Sequence, residues 1–111
     1  MYNFFNNLFK NNSTTSAIEE YVKKGAYLVD VRTPAEFEMG HVPGSVNIPL
    51  DVITNYLPVL REKPYILVFC RTGNRSGIAK SILESSGIQN VINGGAWQDV
   101  KEIVERLKNN S

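Results

Sequence analysis

The sequence predicts an α/β domain with a mainly parallel central sheet and helices on both faces. Three observations predict it. Strand-like and helix-like stretches alternate along the chain, which is the pattern of βαβ units. The run Tyr65-Ile66-Leu67-Val68-Phe69 is apolar at every position, as expected of a strand covered on both faces, and such strands belong to parallel sheets. The chain has 111 residues, enough for one hydrophobic core and too few for two, and 42% apolar with 21% charged residues is the balance of a soluble globular protein.

Residues 1–15 read as an aromatic arm and a polar linker ahead of a domain spanning 16–111. In the arm, Phe4, Phe5, Leu8 and Phe9 share one face if the segment is helical, suited either to covering the domain's own core or to meeting a partner or membrane surface. The arm has no basic start and no small-residue cleavage site, so it is a poor signal peptide. Ser16-Ala17-Ile18-Glu19 has the spacing of a capping box, which starts a helix whose apolar face is Ala17, Ile18, Tyr21 and Val22 and which Gly25 ends. Tyr27 to Val31 is a strand, apolar except at Asp30, and a carboxylate in such a run needs backbone donors or an arginine.

Thr33-Pro34-Ala35-Glu36 repeats the capping logic with proline at the first helical position and opens a short helix to about Met39. Gly40 to Ser45 is a turn, in which His41 has the chemistry of a base or ligand but fits a hydrogen-bonded structural residue better, and Val46-Asn47-Ile48 is a brief strand. Val52, Ile53, Tyr56, Leu57 and Leu60 are spaced for a helix that Pro58 breaks near Leu57. After the strand Tyr65–Phe69, a helix over Ile78–Ser86 buries Ile78, Ala79, Ile82 and Leu83. Asn90-Val91-Ile92 is a last strand, Gly94-Gly95 a turn, and Val100, Ile103, Val104 and Leu107 mark the final helix. Trp97, after the glycine pair, suits the wall of a pocket or the core.

Composition excludes several classes. A formal net charge of +1 with scattered Lys and Arg gives no general attraction to nucleic acid. No stretch approaches the ~18 apolar residues of a membrane span. A single cysteine makes no internal disulfide, so nothing marks an oxidising compartment and the expected location is cytoplasmic. One His and one Cys make a structural zinc site improbable, and no metal or organic cofactor is implied.

That one cysteine lies where chemistry is easiest to build. Cys70 follows the buried strand and precedes a helix, so free N–H groups and the positive end of a helix dipole face it. Arg71 and Arg75 add two cations in the same loop, and Gly73 allows successive N–H groups to curl toward one point. Thr72 and Asn74 offer side-chain donors, and Ser76 is placed as a helix N-cap. The expected strand ends after Val31, Cys70 and Asn93 share one edge of the sheet, where α/β sheets bind ligands.

Cys70-Arg71-Thr72-Gly73-Asn74-Arg75, with Leu28-Val29-Asp30-Val31-Arg32 and Gly40-His41-Val42-Pro43-Gly44-Ser45, resembles the rhodanese family of sulfurtransferases, from about Ser16 to about Leu107. The resemblance implies a single rhodanese-like domain. It also implies that Cys70 carries sulfane sulfur as a persulfide, that Arg71, Thr72, Gly73, Asn74 and Arg75 bind the substrate, and that Asp30, Arg32 and Ser76 give structural support beside it. The implied partners are a small anionic sulfur donor such as thiosulfate and a thiophilic acceptor: cyanide, a thiol or a protein. A cysteine phosphatase or arsenate reductase needs an arginine six positions after its cysteine, and that position here is Ser76. The alternative of another class is a non-catalytic binding or regulatory module of the same fold.

Overall fold

In the computed structural model, which describes residues 14–110, all five residues of strand β3 (Ile66–Cys70) are buried. Successive side chains of a strand point to opposite faces. Ile66, Val68 and Cys70 accordingly enter one apolar cluster, and Leu67 and Phe69 the other. β1 (Tyr27–Asp30) and β4 (Val91–Ala96) flank β3, and β2 (Val46–Asn47) lies outside β1. The order is β2-β1-β3-β4, and every pairing is parallel.

Helices cover both faces, as the apolar run requires. On one side Ile53 of a 3₁₀ helix (Leu50–Tyr56), Leu60 of α3 (Leu57–Arg61) and Ala79 and Leu83 of α4 (Asn74–Ser85) pack with Val29, Ile66 and Val68. On the other, Ile18 from the helix at residues 14–23 (α1) and Val100 and Ile103 of α5 (Trp97–Asn109) pack with Leu67 and Phe69. The short helix α2 (Pro34–Glu38) carries the expected capping box: Thr33 Oγ1 accepts from Glu36 N, and Glu36 Oε1 accepts from Thr33 N. Pro58 falls in the first turn of α3, where it forfeits no intrahelical bond, and the helix changes type at Leu57 as expected. No helix among the described residues is long and apolar enough to cross a membrane.

Four expectations need correction. The aromatic arm, residues 1–13, lies outside the described residues, but Thr14 and Thr15 are already helical, so the linker does not extend to residue 15. Ser16 therefore sits inside α1, and Glu19, expected to cap that helix, instead accepts from Arg106 Nη1 of α5 at 2.7 Å. The helix expected from Ile78 begins four residues earlier at Asn74. Its inward face is then Ser76, Ala79 and Leu83, which turns Ile78 outward to 53% exposure.

The fourth concerns Gly94-Gly95, which continues β4 and is no turn after it. A Cβ on Gly94 would lie 3.0 Å from both Leu67 Cδ1 and Val100 Cγ2, so only glycine lets the strand and α5 approach this closely. Gly95 has φ +80°, and the β3–β4 register shifts between Val68 and Cys70, which sets Cys70 opposite Ala96. Leu67 and Val100 are themselves fully buried and have little room to yield. Gly94→Ala is therefore expected to lower stability by about 1–3 kcal/mol, the usual cost of overpacking a core, read as a lower urea midpoint with unchanged m; an unaltered midpoint would show that this approach is not tight.

Candidate active site

From β1 the chain passes to β2 on one side, and from β3 it passes to β4 on the other, so the connections diverge beyond the carboxyl ends of β1 and β3. A crevice forms at such a point in an α/β sheet. Cys70 ends β3 there. The alternation that buries Ile66 and Val68 beneath α4 also aims the cysteine at the first turn of that helix.

Three donors meet its sulfur. Gly73 N lies 3.0 Å from Sγ, and Ser76 N and Ser76 Oγ each lie 3.4 Å away. Gly73 is the N-cap of α4 with φ +100°, a backbone conformation that glycine adopts without strain, and it turns successive N–H groups inward. Cys70 is only 1% exposed. Burial is the largest single influence on the thiol and works to raise its pKa. The Ser76 hydroxyl and the N–H groups of Ser76, Gly73 and Thr72 together outweigh it, so the thiol lies below its ordinary value.

The remaining loop residues divide. Thr72 contributes its N–H, but neither its side chain nor that of Asn74 makes a hydrogen bond to the sulfur, and both residues are exposed. Arg71 is exposed, with no ion pair among the described residues, and lines a cleft of about 420 Å³ with Arg32, Glu36, Met39, Trp97 and Gln98. Arg75 is not a free cation. Its Nη1 and Nη2 donate to Glu36 Oε1 and Oε2 at 2.7 and 3.0 Å, and it lines a second, mostly apolar cleft with Val31, Thr33, Pro49, Leu50 and Asp51. Ser76 is not the N-cap expected; it lies in the first turn of α4, fully buried against Cys70.

Asp30 and Arg32 support the neighbouring strand end. The Asp30 carboxylate is completely buried and accepts from Arg32 N at 2.9 Å, from Nε at 3.0 Å and from Nη2 at 2.7 Å. The guanidinium also donates to Gly40 O and stacks 4.4 Å from the Trp97 ring centroid, so Trp97 serves both the core and the wall of the larger cleft. His41 is structural, with Nδ1 2.8 Å from Phe37 O and its ring stacked on Phe37.

Three further residues hold the site without having stood out in the sequence. Glu36 looked complete as a capping residue, yet the same carboxylate holds Arg75. Asn47 Nδ2 donates to the carbonyls of Asp30 and Arg32. Asn93 sits in β4 and bonds to Ser76, Gly73 and Gly95. No local pattern marks them, because each partner lies at a distance set by the sheet order.

The family model of the rhodanese-like domain matches residues 14–102. Thiosulfate sulfurtransferase PspE of Escherichia coli (strain K12) is 35% identical over 74 residues, covering 65% of this chain and 71% of that protein. A sulfurtransferase of Allochromatium vinosum is likewise 35% identical over 74 residues, covering 63% of this chain and 69% of that one. A solved structure described as a rhodanese with anions from E. coli is 35% identical, has a TM-score of 0.57, and covers 67% of this chain and 89% of its own.

The Glu36–Arg75 pair has a pH signature. The Arg75 guanidinium, followed by the Thr33 N–H, pushes the Glu36 carboxyl from 4.5 down to about 2. A depressed carboxyl stabilises the fold fully above its unfolded pKa and loses that contribution as pH falls toward the folded value, here between 4.5 and about 2. Part of the pair is solvent-exposed, which discounts the effect to about 1 kcal/mol. Glu36→Gln should flatten the decline of the urea midpoint across that window; a decline as steep as in the wild type would show that the pair contributes nothing to stability.

Proposed function

The chain belongs to the rhodanese-like domain family, and from that premise we propose that it is a sulfurtransferase that carries sulfane sulfur on Cys70 as a persulfide. The observation that carries this reading is the convergence of Gly73 N, Ser76 N and Ser76 Oγ on one sulfur at the start of a twelve-residue helix. Such a setting favours a sulfur anion over its protonated form.

In the reaction proposed, the Cys70 thiolate attacks the outer sulfur of thiosulfate. A new S–S bond forms, the old one breaks, and sulfite leaves with the electron pair. The persulfide anion remains in the cradle of loop donors. Cyanide or a thiolate then attacks the outer sulfur, giving thiocyanate or a new persulfide and returning the Cys70 thiolate. Both steps are displacements of sulfur from sulfur, governed by thiolate fraction and leaving-group basicity, and need no general base. Arg71, as the loop cation without a carboxylate partner among the described residues, is the residue we assign to the donor's anionic end; Arg75, held by Glu36, orders the loop. A lone thiolate worker suits a reducing compartment, which is the basis for a cytoplasmic setting.

One observation favours a second reading. With 1% exposure, the sulfur is more enclosed than an open nucleophile, as in a module that binds without turning over. The two readings separate cleanly. After incubation with thiosulfate, the intact mass should rise by one sulfur, about 32 Da, and fall back on adding cyanide. Cys70→Ser should show neither the gain nor thiocyanate formation. Because the thiol lies below its ordinary value, the wild-type rate should climb with pH to a plateau whose midpoint is below 9.0. A wild type that gains no mass would leave the binding module as the better account, and a serine variant that keeps full activity would refute the covalent role of Cys70.

A further inference from the structure

Asn93 stands on β4, the neighbour of the strand that ends at Cys70, and every polar atom of its carboxamide is engaged. Oδ1 accepts from Ser76 Oγ at 2.7 Å and from Gly95 N at 2.9 Å, and Nδ2 donates to Gly73 O at 3.1 Å. Ser76 and Gly73 are the residues whose hydroxyl and N–H groups reach the sulfur. One side chain on a different strand therefore grips two of the residues that donate to the sulfur. The packing is close as well: a Cβ on Gly77 would lie 3.4 Å from Asn93 Nδ2, and one on Gly73 would lie 3.3 Å from Gly95 Cα.

We propose that Asn93 is a positioning residue for the Cys70 sulfur, holding the Ser76 hydroxyl and the Gly73 peptide in the arrangement that stabilises the sulfur as an anion. The hydroxyl has one proton and two acceptors within reach. While the sulfur is protonated, the proton of Ser76 goes to Asn93 Oδ1, which keeps the hydroxyl oriented. When the sulfur is charged, the proton turns to Sγ, and Oδ1 is still satisfied by Gly95 N–H. Neither state leaves a buried polar atom unpaired, so the anion forms without a desolvation cost at Asn93. Nδ2, meanwhile, adds a second bond to Gly73 O beside the helical one from Gly77 N; this fixes the peptide that follows Gly73 and so restrains the residue whose own N–H, on the preceding peptide, lies 3.0 Å from sulfur.

The charged groups near the sulfur are Arg71 on the loop, Arg75 on α4 with its partner Glu36 on α2, and the Asp30–Arg32 pair at the end of β1. β4 contributes Asn93 to Ala96 there, none of them charged. Asn93 thus acts through hydrogen bonds and not through charge, and its removal leaves every charge in place.

This inference rests on Cys70 as the nucleophile, and its test reads the thiol without requiring turnover. The pH dependence of Cys70 alkylation by iodoacetamide is measured for wild type, Asn93→Ala and Ser76→Ala, with folding checked by circular dichroism and thermal unfolding. Asn93→Ala should shift the midpoint alkaline by about one unit, which is roughly a tenfold loss of thiolate at neutral pH, while the rate at high pH reaches the wild-type plateau. Ser76→Ala should shift it the same way, and the double variant by less than the sum. Should Asn93→Ala fail to fold, the near-isosteric Asn93→Asp, which keeps both accepted bonds, loses the bond to Gly73 O and adds a charge, should shift the midpoint alkaline too. A folded Asn93→Ala, or in its place Asn93→Asp, whose midpoint is unmoved or more acidic would overturn the proposal, as would additive shifts in the double variant. An alkaline shift in a protein that never gains sulfur from thiosulfate would uphold Asn93 while rejecting the sulfurtransferase reading.

Discussion

A sulfur atom buried at the end of a central strand is the constraint on which the site depends. Burial alone would lock the proton on Cys70, because a low-polarity surrounding disfavours the charged form. The fold answers with donors. β3 ends at the cysteine, the chain turns through Gly73, and α4 starts at once, so the first helical N–H groups have no intrahelical partner and point back at the sulfur. Strand, turn and helix act as one device; a longer loop would carry those groups away from it.

The supporting structure fixes the two strand ends beside that device. Asp30 and Arg32 neutralise each other with four contacts inside the protein, and Asn47 and Gly40 tie the pair to neighbouring backbone. A buried carboxylate is tolerated only when its oxygens are served in this way. After the same strand, Glu36 caps α2 and holds Arg75, which links the segment after β1 to the first turn of α4.

Much of this was legible in the sequence because it is local. The all-apolar Tyr65–Phe69 run identified the central strand, Thr33-Pro34-Ala35-Glu36 gave α2 with its cap, and the lone cysteine was legible as standing between a strand and a helix. What escaped was set by distance. Glu36 and Arg75 are 39 positions apart, and Asn93 and Ser76 are 17 apart, so only the assembled sheet brings them together. The start of α4 was missed for another reason: Asn74, Arg75 and Ser76 have no apolar periodicity, and the helix there is begun by backbone geometry at Gly73. That error placed Ser76 outside the helix and Ile78 inside the core, two consequences of one shifted boundary.

The charge balance around the sulfur follows from the same geometry. Two arginines in a short loop suggest a strongly cationic pocket, but Glu36 occupies both terminal nitrogens of Arg75 and Asp30 pairs with Arg32, so the formal charges largely cancel within the protein. What remains is Arg71 at the rim and the partial charges of oriented N–H groups at the floor. Partial charges held in place by backbone need no reorganisation when an anion appears, whereas a mobile guanidinium does. The floor is therefore suited to stabilising one negative charge on sulfur, and the rim to meeting the charge of whatever molecule arrives. Those two tasks fall on different groups because Arg75, which lies closer in sequence to the helix start, is already held by Glu36.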